Sequence, residues 1–242
     1  MGIKYKVNEN FFKEWSPIMA YVLGYWYADG SLEDASYLRG KYIRVTSIDK
    51  STIEKIRDWL DSEHAIVVLK PTIFHPGKTR YFLRIGSHAL YDDLILLGLY
   101  PNKSLTIKFP EIPEQFLRDF IRGYLDGDGC VFLETASGIR KERIIKRLLI
   151  IFTSGSFDFL KILCETLSDE LGLKQDKVYQ GARAFQLRYS LVDSLKIFEF
   201  LYSDCPRNLF LERKFKIFGN YYKLRPSRLN LNTAKILADL AT

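Results

Sequence analysis

The feature of this 242-residue chain that most limits its fold is that it repeats itself. The segment Val22–Gly30, VLGYWYADG, recurs as Ile121–Gly129, IRGYLDGDG, with Gly24/Gly123, Tyr25/Tyr124, Asp29/Asp128 and Gly30/Gly129 in register. Further matching phrases follow in the same order. Each motif is followed by an alternating stretch that ends in Thr-Ser, Tyr42–Ser47 (YIRVTS) and Leu149–Ser154 (LIIFTS). Each of those is followed by a helical pattern, Asp49–Leu60 and Ser156–Leu167, and then by a second alternating stretch, Tyr81–Ile85 (YFLRI) and Phe185–Tyr189 (FQLRY). A repeat on this scale fixes the architecture before any single residue is interpreted.

The 3.6- and 2-residue periodicities make each half helix, strand, strand, helix, strand, strand, helix. That is an α+β chain of two pseudo-symmetric half-domains, expected to pack about a pseudo-two-fold axis as a homodimer would after gene fusion. The first half runs over residues 1–106, and the second over 107–222, entered through the proline-rich connector IKFPEIP. Residues 223–242 form a tail, basic and then amphipathic, expected to be peripheral.

Composition narrows the partner. Lys and Arg total 36 against 29 Asp and Glu, a net charge of +7 and a pI near 9.1, which suits a polyanion such as nucleic acid. No apolar run approaches the roughly 20 residues of a membrane span, and the first residues lack a signal-peptide core, so a soluble intracellular protein is expected, in a bacterial cytoplasm or an organelle matrix. Cys130, Cys164 and Cys205 are odd in number and far apart, which argues against a disulfide framework or a structural zinc site and for reduced thiols. His64, His75 and His88 all lie in the first half, so no symmetric histidine pair exists and a structural role is expected for them.

The motif itself carries chemistry. Ser16-Pro17 is a helix start, with the serine capping and the proline in the first turn, and Pro113 is expected to serve the second copy in the same way. Small residues recur every four positions, Ala20, Gly24 and Ala28 in one helix and Gly123 and Gly127 in the other, stripping one face so that the two backbones can approach closely. Pairing of those faces brings Asp29 and Asp128 side by side at the helix C-termini. Two carboxylates there oppose the macrodipole, at a cost of roughly 0.3–1 kcal/mol each, and repel each other. A divalent cation removes both penalties, and Mg²⁺, a hard ion usually held by one or two carboxylates with water and phosphate, suits the site. The run DGDG at Asp126–Gly129 also suggests a calcium loop, but the sixth loop position is Val131 rather than Gly and the twelfth is Ser137 rather than Glu.

VLGYWYADG and IRGYLDGDG resemble the signature of the LAGLIDADG homing endonucleases, and so do the flanking phrases Pro101–Ser104 (PNKS) and Leu211–Phe218 (LERKFKIF). The resemblance spans about Ser16 to Tyr222; Tyr27 and Arg122 depart from the usual small or acidic residues of the motif. It implies two saddle-shaped antiparallel sheets with helices on one face, astride double-stranded DNA, in a monomer. It implies a metal site of Asp29 and Asp128 with the preceding Ala28 and Gly127, holding Mg²⁺, for which Mn²⁺ or Ca²⁺ substitutes in binding. Lys103 matches the family's active-site lysine, and Lys214 is its second-half counterpart, with Arg213 and Arg207 competing for that role. Two metal ions on carboxylates supply a nucleophilic water and neutralise the leaving alkoxide, and a nearby lysine stabilises the phosphate charge. With one acid in each half, each half is expected to cut one strand.

Strands fit the major groove and present alternate side chains to base edges. The outward candidates are Tyr42, Arg44, Thr46, Arg80 and Arg84 in the first half and Lys146, Gln186 and Arg188 in the second, with Arg39, Lys41, Arg140, Arg143 and Arg183 in or beside loops. The expected activity is site-specific, metal-dependent double-strand cleavage at a long, loosely palindromic target, for homing of the coding element. An RNA maturase that assists intron splicing, or an inactive DNA-binding regulator, are the rival readings.

Overall fold

The computed structural model describes residues 5–35, 37, 40–73, 77–137, 143–173 and 177–240, with backbone alone at 137 and 143–146. Two compact units result, Met1–Gly127 and Asp128–Thr242. Contact thus divides the chain at Gly127/Asp128, whereas the repeat divides it at the connector, and the second motif helix accounts for the difference.

The first unit opens on α1 (Pro17–Asp29), where Ser16 Oγ accepts from Met19 N–H at 3.1 Å and Pro17 occupies the first turn. Strands β1 (Gly30–Ala35), β2 (Gly40–Ser47), β3 (Ile66–Leu69) and β4 (Arg80–Gly86) form one antiparallel sheet in the order β1-β2-β4-β3. Leu32, Ile43, Val45, Leu83 and Ile85 alternate onto one face and are buried under α1, α2 (Lys50–Trp59) and α3 (His88–Leu96). Each such side chain contributes about 1.5–3 kcal/mol when fully buried. On the opposite face Arg44, Arg80 and Arg84 are exposed and Tyr42, Thr46 and Phe82 half-buried. Tyr25, on α1, reaches its own sheet, donating from its hydroxyl to Ser47 Oγ at 2.9 Å.

The second unit repeats the pattern. Its strands β5 (Cys130–Ser137), β6 (Arg143–Ser154), β7 (Val178–Gln180) and β8 (Phe185–Ser190) pair antiparallel in the order β5-β6-β8-β7, with a register shift between Glu134 and Thr135. Val131, Leu148, Ile150, Phe152, Leu187 and Tyr189 face the helices α5 (Phe157–Leu171) and α6 (Val192–Tyr202). Helix α7 (Glu212–Leu224) adds an aromatic cluster: Phe198 and Phe218 lie 4.7 Å apart by ring centroid, and Phe210 and Phe215 4.9 Å. The tail forms a 3-10 turn, Pro226–Arg228, and α8 (Leu231–Leu240). It is docked rather than loose, since Asn230 Nδ2 and Thr233 Oγ1 both donate to Glu199 Oε1 on α6, at 2.7 and 2.6 Å, and Ile236 and Leu240 are buried. Among the described residues no helix is long and apolar enough to cross a membrane.

The second motif helix, α4 (Glu114–Asp128), begins one residue later than the sequence suggests; Pro113 precedes it, and its carbonyl accepts from Phe116 N–H at 2.9 Å. Through Gly127 it packs in the first unit against α1. A Cβ at Gly24 would fall on the Phe120 carbonyl, and one at Gly123 on the Tyr21 carbonyl. The glycine Cα–H bonds therefore face backbone oxygens across the interface, a contact that only residues without a side chain permit. Arg122 lies in the same region with 0% exposure, ion-paired to the buried Asp119 one turn earlier, its guanidinium 5.9 Å from the Tyr21 ring. Tyr21 donates its hydroxyl proton to Asp126 Oδ2 at 2.9 Å. Burial pushes the Asp119 carboxyl up from the usual carboxylate range, against the opposing pull of Arg122. Buried charges persist where partners are supplied in place, and here α1 and α4 supply them.

Gly24→Ala and Gly123→Ala are each expected to lower stability by about 3 kcal/mol, because a backbone carbonyl cannot step aside as a side chain can. The urea midpoint at unchanged slope measures this. Gly219→Ala is the contrast: inside α7 its Cβ meets only Leu237 Cδ2, at 4.0 Å. That change should raise stability by about 0.5–1 kcal/mol. Equal effects at all three glycines would remove the close-approach account.

Candidate functional site

Asp29 is the last residue of α1 and is exposed. Gly30 follows in extended conformation, φ −90° and ψ 154°, so the chain passes from helix to strand without a left-handed turn. Glycine is needed there for space: a Cβ would strike the Trp26 ring and carbonyl. A Cβ at Gly127 would overlap the Ala28 methyl and lie 3.6 Å from Asp29 Oδ2. Ala28 and Gly127, both expected at a metal site, therefore meet where the first motif acid stands, and the absence of a side chain at Gly127 keeps that carboxylate approachable.

Lys103 is brought to the same helix end. The PNKS phrase forms a 3-10 turn, Lys103–Leu105, entered through Asn102 in the left-handed region at φ 59°, ψ 28°. Lys103 is only 5% exposed, and its Nζ donates to the Tyr27 carbonyl at 2.7 Å. An ammonium at a helix C-terminus meets the negative end of the macrodipole, and it offsets the carboxylate two residues on. Tyr27, one of the departures from the motif, is held by its hydroxyl, which donates to the Leu97 carbonyl at 2.7 Å, and by its ring against Phe120 at 5.2 Å. Burial first and the Asp29 charge second push the Tyr25 phenol well above its ordinary range, so it stays protonated and continues to donate to Ser47.

The second unit holds a parallel arrangement. Asp128, the last residue of α4, is exposed, and Gly129 leads into β5. Lys214, in the first turn of α7, is 2% exposed and donates from Nζ to the Gly129 carbonyl at 2.7 Å. Arg213 and Arg207, its sequence competitors, are both exposed. An acid at a helix end and a buried lysine on an adjoining carbonyl thus occur once in each unit. Among the described residues no group of three or more His, Cys, Asp or Glu side chains is placed to hold a metal ion. Each unit instead offers one motif carboxylate, exposed at a helix end, a hard donor that would suit an ion keeping most of its shell for water and phosphate.

The open sheet faces hold most of the other candidates. Tyr42, Arg44, Thr46, Arg80 and Arg84 alternate outward in the first unit, Gln186 and Arg188 in the second, and Arg183 is exposed in the turn before β8. Lys41 does not join them. It shares the parity of Ile43 and Val45, and its ammonium pairs with Asp92 on α3 at 2.6 Å, on the helix side of the sheet. Arg39 and Arg140 lie outside the described residues, as do the side chains of Arg143 and Lys146. Sequence reading missed the acids that hold these arginines. Glu33 pairs with Arg44 at 3.3 Å and with Arg84 at 2.8 Å, and Arg84 stacks over the Tyr42 ring at 3.5 Å. In the second unit Glu134 pairs with Arg147, and Gln186 accepts from Arg188 at 3.0 and 2.6 Å. The alternation of Leu32 with Glu33 was the available signal.

His64 lies 3.0 Å from Ser62 Oγ and 5.1 Å from the Tyr5 ring, and burial lowers its pKa. His88 opens α3, and His75 is outside the described residues. The three cysteines are free thiols, Cys164 and Cys205 buried and Cys130 exposed.

No protein-family model matches the chain. An uncharacterized protein of Methanocaldococcus jannaschii, MJ0398, is 25% identical over 120 residues, which is 48% of this chain and 40% of that relative's length. Solved structures match almost end to end. The LAGLIDADG meganuclease I-AabMI bound to uncleaved DNA aligns with a TM-score of 0.58 at 14% identity, over 92% of this chain and 96% of that one. The chain has the LAGLIDADG homing endonuclease fold. I-LtrWI, a LAGLIDADG homing endonuclease bound to target DNA, gives a TM-score of 0.56 at 14% identity over 96% and 97% of the two chains. I-SmaMI, bound to an uncleaved DNA target in the presence of calcium ions, gives 0.57 at 15% identity over 94% and 97%. Within the LAGLIDADG fold α1 and α4 carry the signature of the name, and the two four-stranded sheets are the expected antiparallel pair.

Proposed function

We propose that the chain is a site-specific, divalent-metal-dependent endonuclease acting on double-stranded DNA, with Mg²⁺ as the working ion. The observation that carries this reading is the doubled placement of a buried lysine on a carbonyl beside an exposed motif acid, on a fold shared with the DNA-bound I-AabMI and I-LtrWI. Asp29 and Asp128 hold the ions, with Ala28 and Gly127 beside them leaving room for phosphate and water. The bound ion supplies Lewis-acid chemistry: it lowers the pKa of a coordinated water and neutralises the departing alkoxide.

The protein's own groups do the rest. Lys103 and Lys214 each donate to a carbonyl beside the motif acid, so their orientation is set before substrate arrives. A preoriented ammonium is available to charge developing on the phosphate at no reorganisation cost. Asp29 and Asp128, one from each half of the repeat, direct cleavage of one strand each. Arg44, Arg84, Gln186 and Arg188 read the duplex from the open sheet faces, and the excess of basic residues neutralises phosphates around them. The monomer carries both halves, so its target is long and only loosely palindromic.

Incubation of the purified protein with a randomised duplex library and Mg²⁺, followed by sequencing of the cut ends, should yield one long consensus; chelation should abolish cutting, and Ca²⁺ should sustain binding. Asp29→Asn and Asp128→Asn are expected to bind the selected duplex with unchanged affinity and to lose double-strand cleavage. Lys103→Met and Lys214→Met should each slow cleavage by about 10²–10³-fold, the usual loss for one preorganised donor. Full double-strand cleavage by either aspartate variant would overturn the assignment. Affinity should also fall steeply with salt, by at least about 10²-fold between 50 and 200 mM, because many phosphates are neutralised. A nearly flat salt dependence would contradict groove binding by the basic faces.

A further inference from the structure

The two open sheet faces can be compared row by row, because each is anchored by an equivalent buried row: Leu32–Ile43–Ile85 in the first unit and Val131–Ile150–Tyr189 in the second. The outward rows flanking it are Ser31–Arg44–Arg84 and Glu33–Tyr42–Gly86 in the first unit. In the second they are Cys130–Ile151–Arg188 and Phe132–Leu149–Ser190. One arginine is retained in place, Arg84 matching Arg188. The other four positions that differ in character change together: Ser31, Arg44, Tyr42 and Glu33 give way to Cys130, Ile151, Leu149 and Phe132. A polar, charged reading surface has become a contiguous apolar one.

That patch is accessible. Phe132 is 37% exposed and Cys130 exposed, Ile151 is half-buried, and Leu149, opposite Phe132 in the register, is buried at 7%. The retained arginine does not cover it: the Arg188 guanidinium donates to Gln186 and lies 5.5 Å from the Tyr179 ring, in the neighbouring row on the far side. The patch is flanked by Arg188 on one side and by the Arg147–Glu134 ion pair on the other, and on the nuclease reading its occupant is duplex DNA. In the major groove the only apolar group that a base pair presents is the thymine C5-methyl.

We infer that Phe132 and Ile151 select thymine in the half-site bound by the second unit, while Arg44 and Arg84 select guanine at the corresponding place in the other half-site. The inference rests on the nuclease reading above and adds the base identity. Cys130 and Phe132 follow Asp128 by two and four residues along an extended strand, which carries them about 7–13 Å away. The selected thymines therefore lie within about four base pairs of the scissile phosphate, at 3.4 Å per step. Arginine reads guanine through its O6 and N7 in a bidentate contact, and the Glu33 carboxylate, bonded to both guanidiniums, sets the plane in which they are presented.

The test begins with the duplex selected from the randomised library, in which each thymine is replaced singly by deoxyuridine, a change that removes one methyl group and no hydrogen bond. Affinity should fall about fourfold at one or two positions of a single half-site, the amount expected for one buried methyl. The sensitivity should disappear in Phe132→Ser and in Ile151→Ser, which bind the uracil and thymine duplexes alike. Uniform indifference of the unaltered protein to uracil, or a sensitivity that survives both variants, would overturn the inference while leaving the nuclease reading intact. Failure to bind or cut any library member would instead remove the nuclease reading. The deoxyuridine scan needs no altered protein, so a variant that folds poorly leaves the question decidable.

Discussion

The contact between the backbones of α1 and α4 is the constraint from which the rest of the site follows. Gly24 faces the Phe120 carbonyl and Gly123 faces the Tyr21 carbonyl, so each helix fits the other only where a side chain is missing. Because the contact is backbone to backbone, it fixes the height at which each helix runs against its partner and not merely which face is buried. The position of Ala28 against Gly127 at the helix ends follows from that height, and with it the open ground beside the Asp29 carboxylate. The buried Arg122, Asp119, Asp126 and Tyr21 add polar contacts of fixed geometry to the same region, which an apolar interface of equal area would not specify as narrowly.

An acid at the C-terminal end of a helix stands in an unfavourable field, and in each unit a lysine is placed on a carbonyl beside it. Lys103 and Lys214 come from quite different parts of their halves, a 3-10 turn before α4 and the first turn of α7, yet each ends on a carbonyl within two residues of a motif aspartate. Both lysines are buried and both acids are exposed. Each cation is thereby fixed in position by a carbonyl, beside an acid that stands at the surface.

The sheets show a second division of labour. Their central helix-facing rows, Leu32–Ile43–Ile85 and Val131–Ile150–Tyr189, are nearly interchangeable between units, because a packed interior asks for volume and apolarity. Their open rows have diverged from charged to apolar within the same register. Lys41 illustrates the limit of judging an open row from charge alone, since one step of parity carries it to Asp92 on the helix side.

The repeat, the helix entered at Ser16-Pro17, the small-residue faces, the two motif acids and the outward setting of Arg44 and Arg84 were all legible in the amino-acid order. Each depends on neighbours within a turn of helix or on strand parity, and periodicity reports such relations directly. Other features were settled only by folding: Lys214 rather than Arg213 or Arg207 against the Gly129 carbonyl, Arg122 buried with Asp119, Glu33 holding both arginines, and the tail helix fixed to Glu199. Those outcomes turn on which polar groups lose water together and find partners far along the chain. Residue type and local spacing carry no record of that, because desolvation and pairing are properties of the assembled interior and surface rather than of the segment that supplies each side chain.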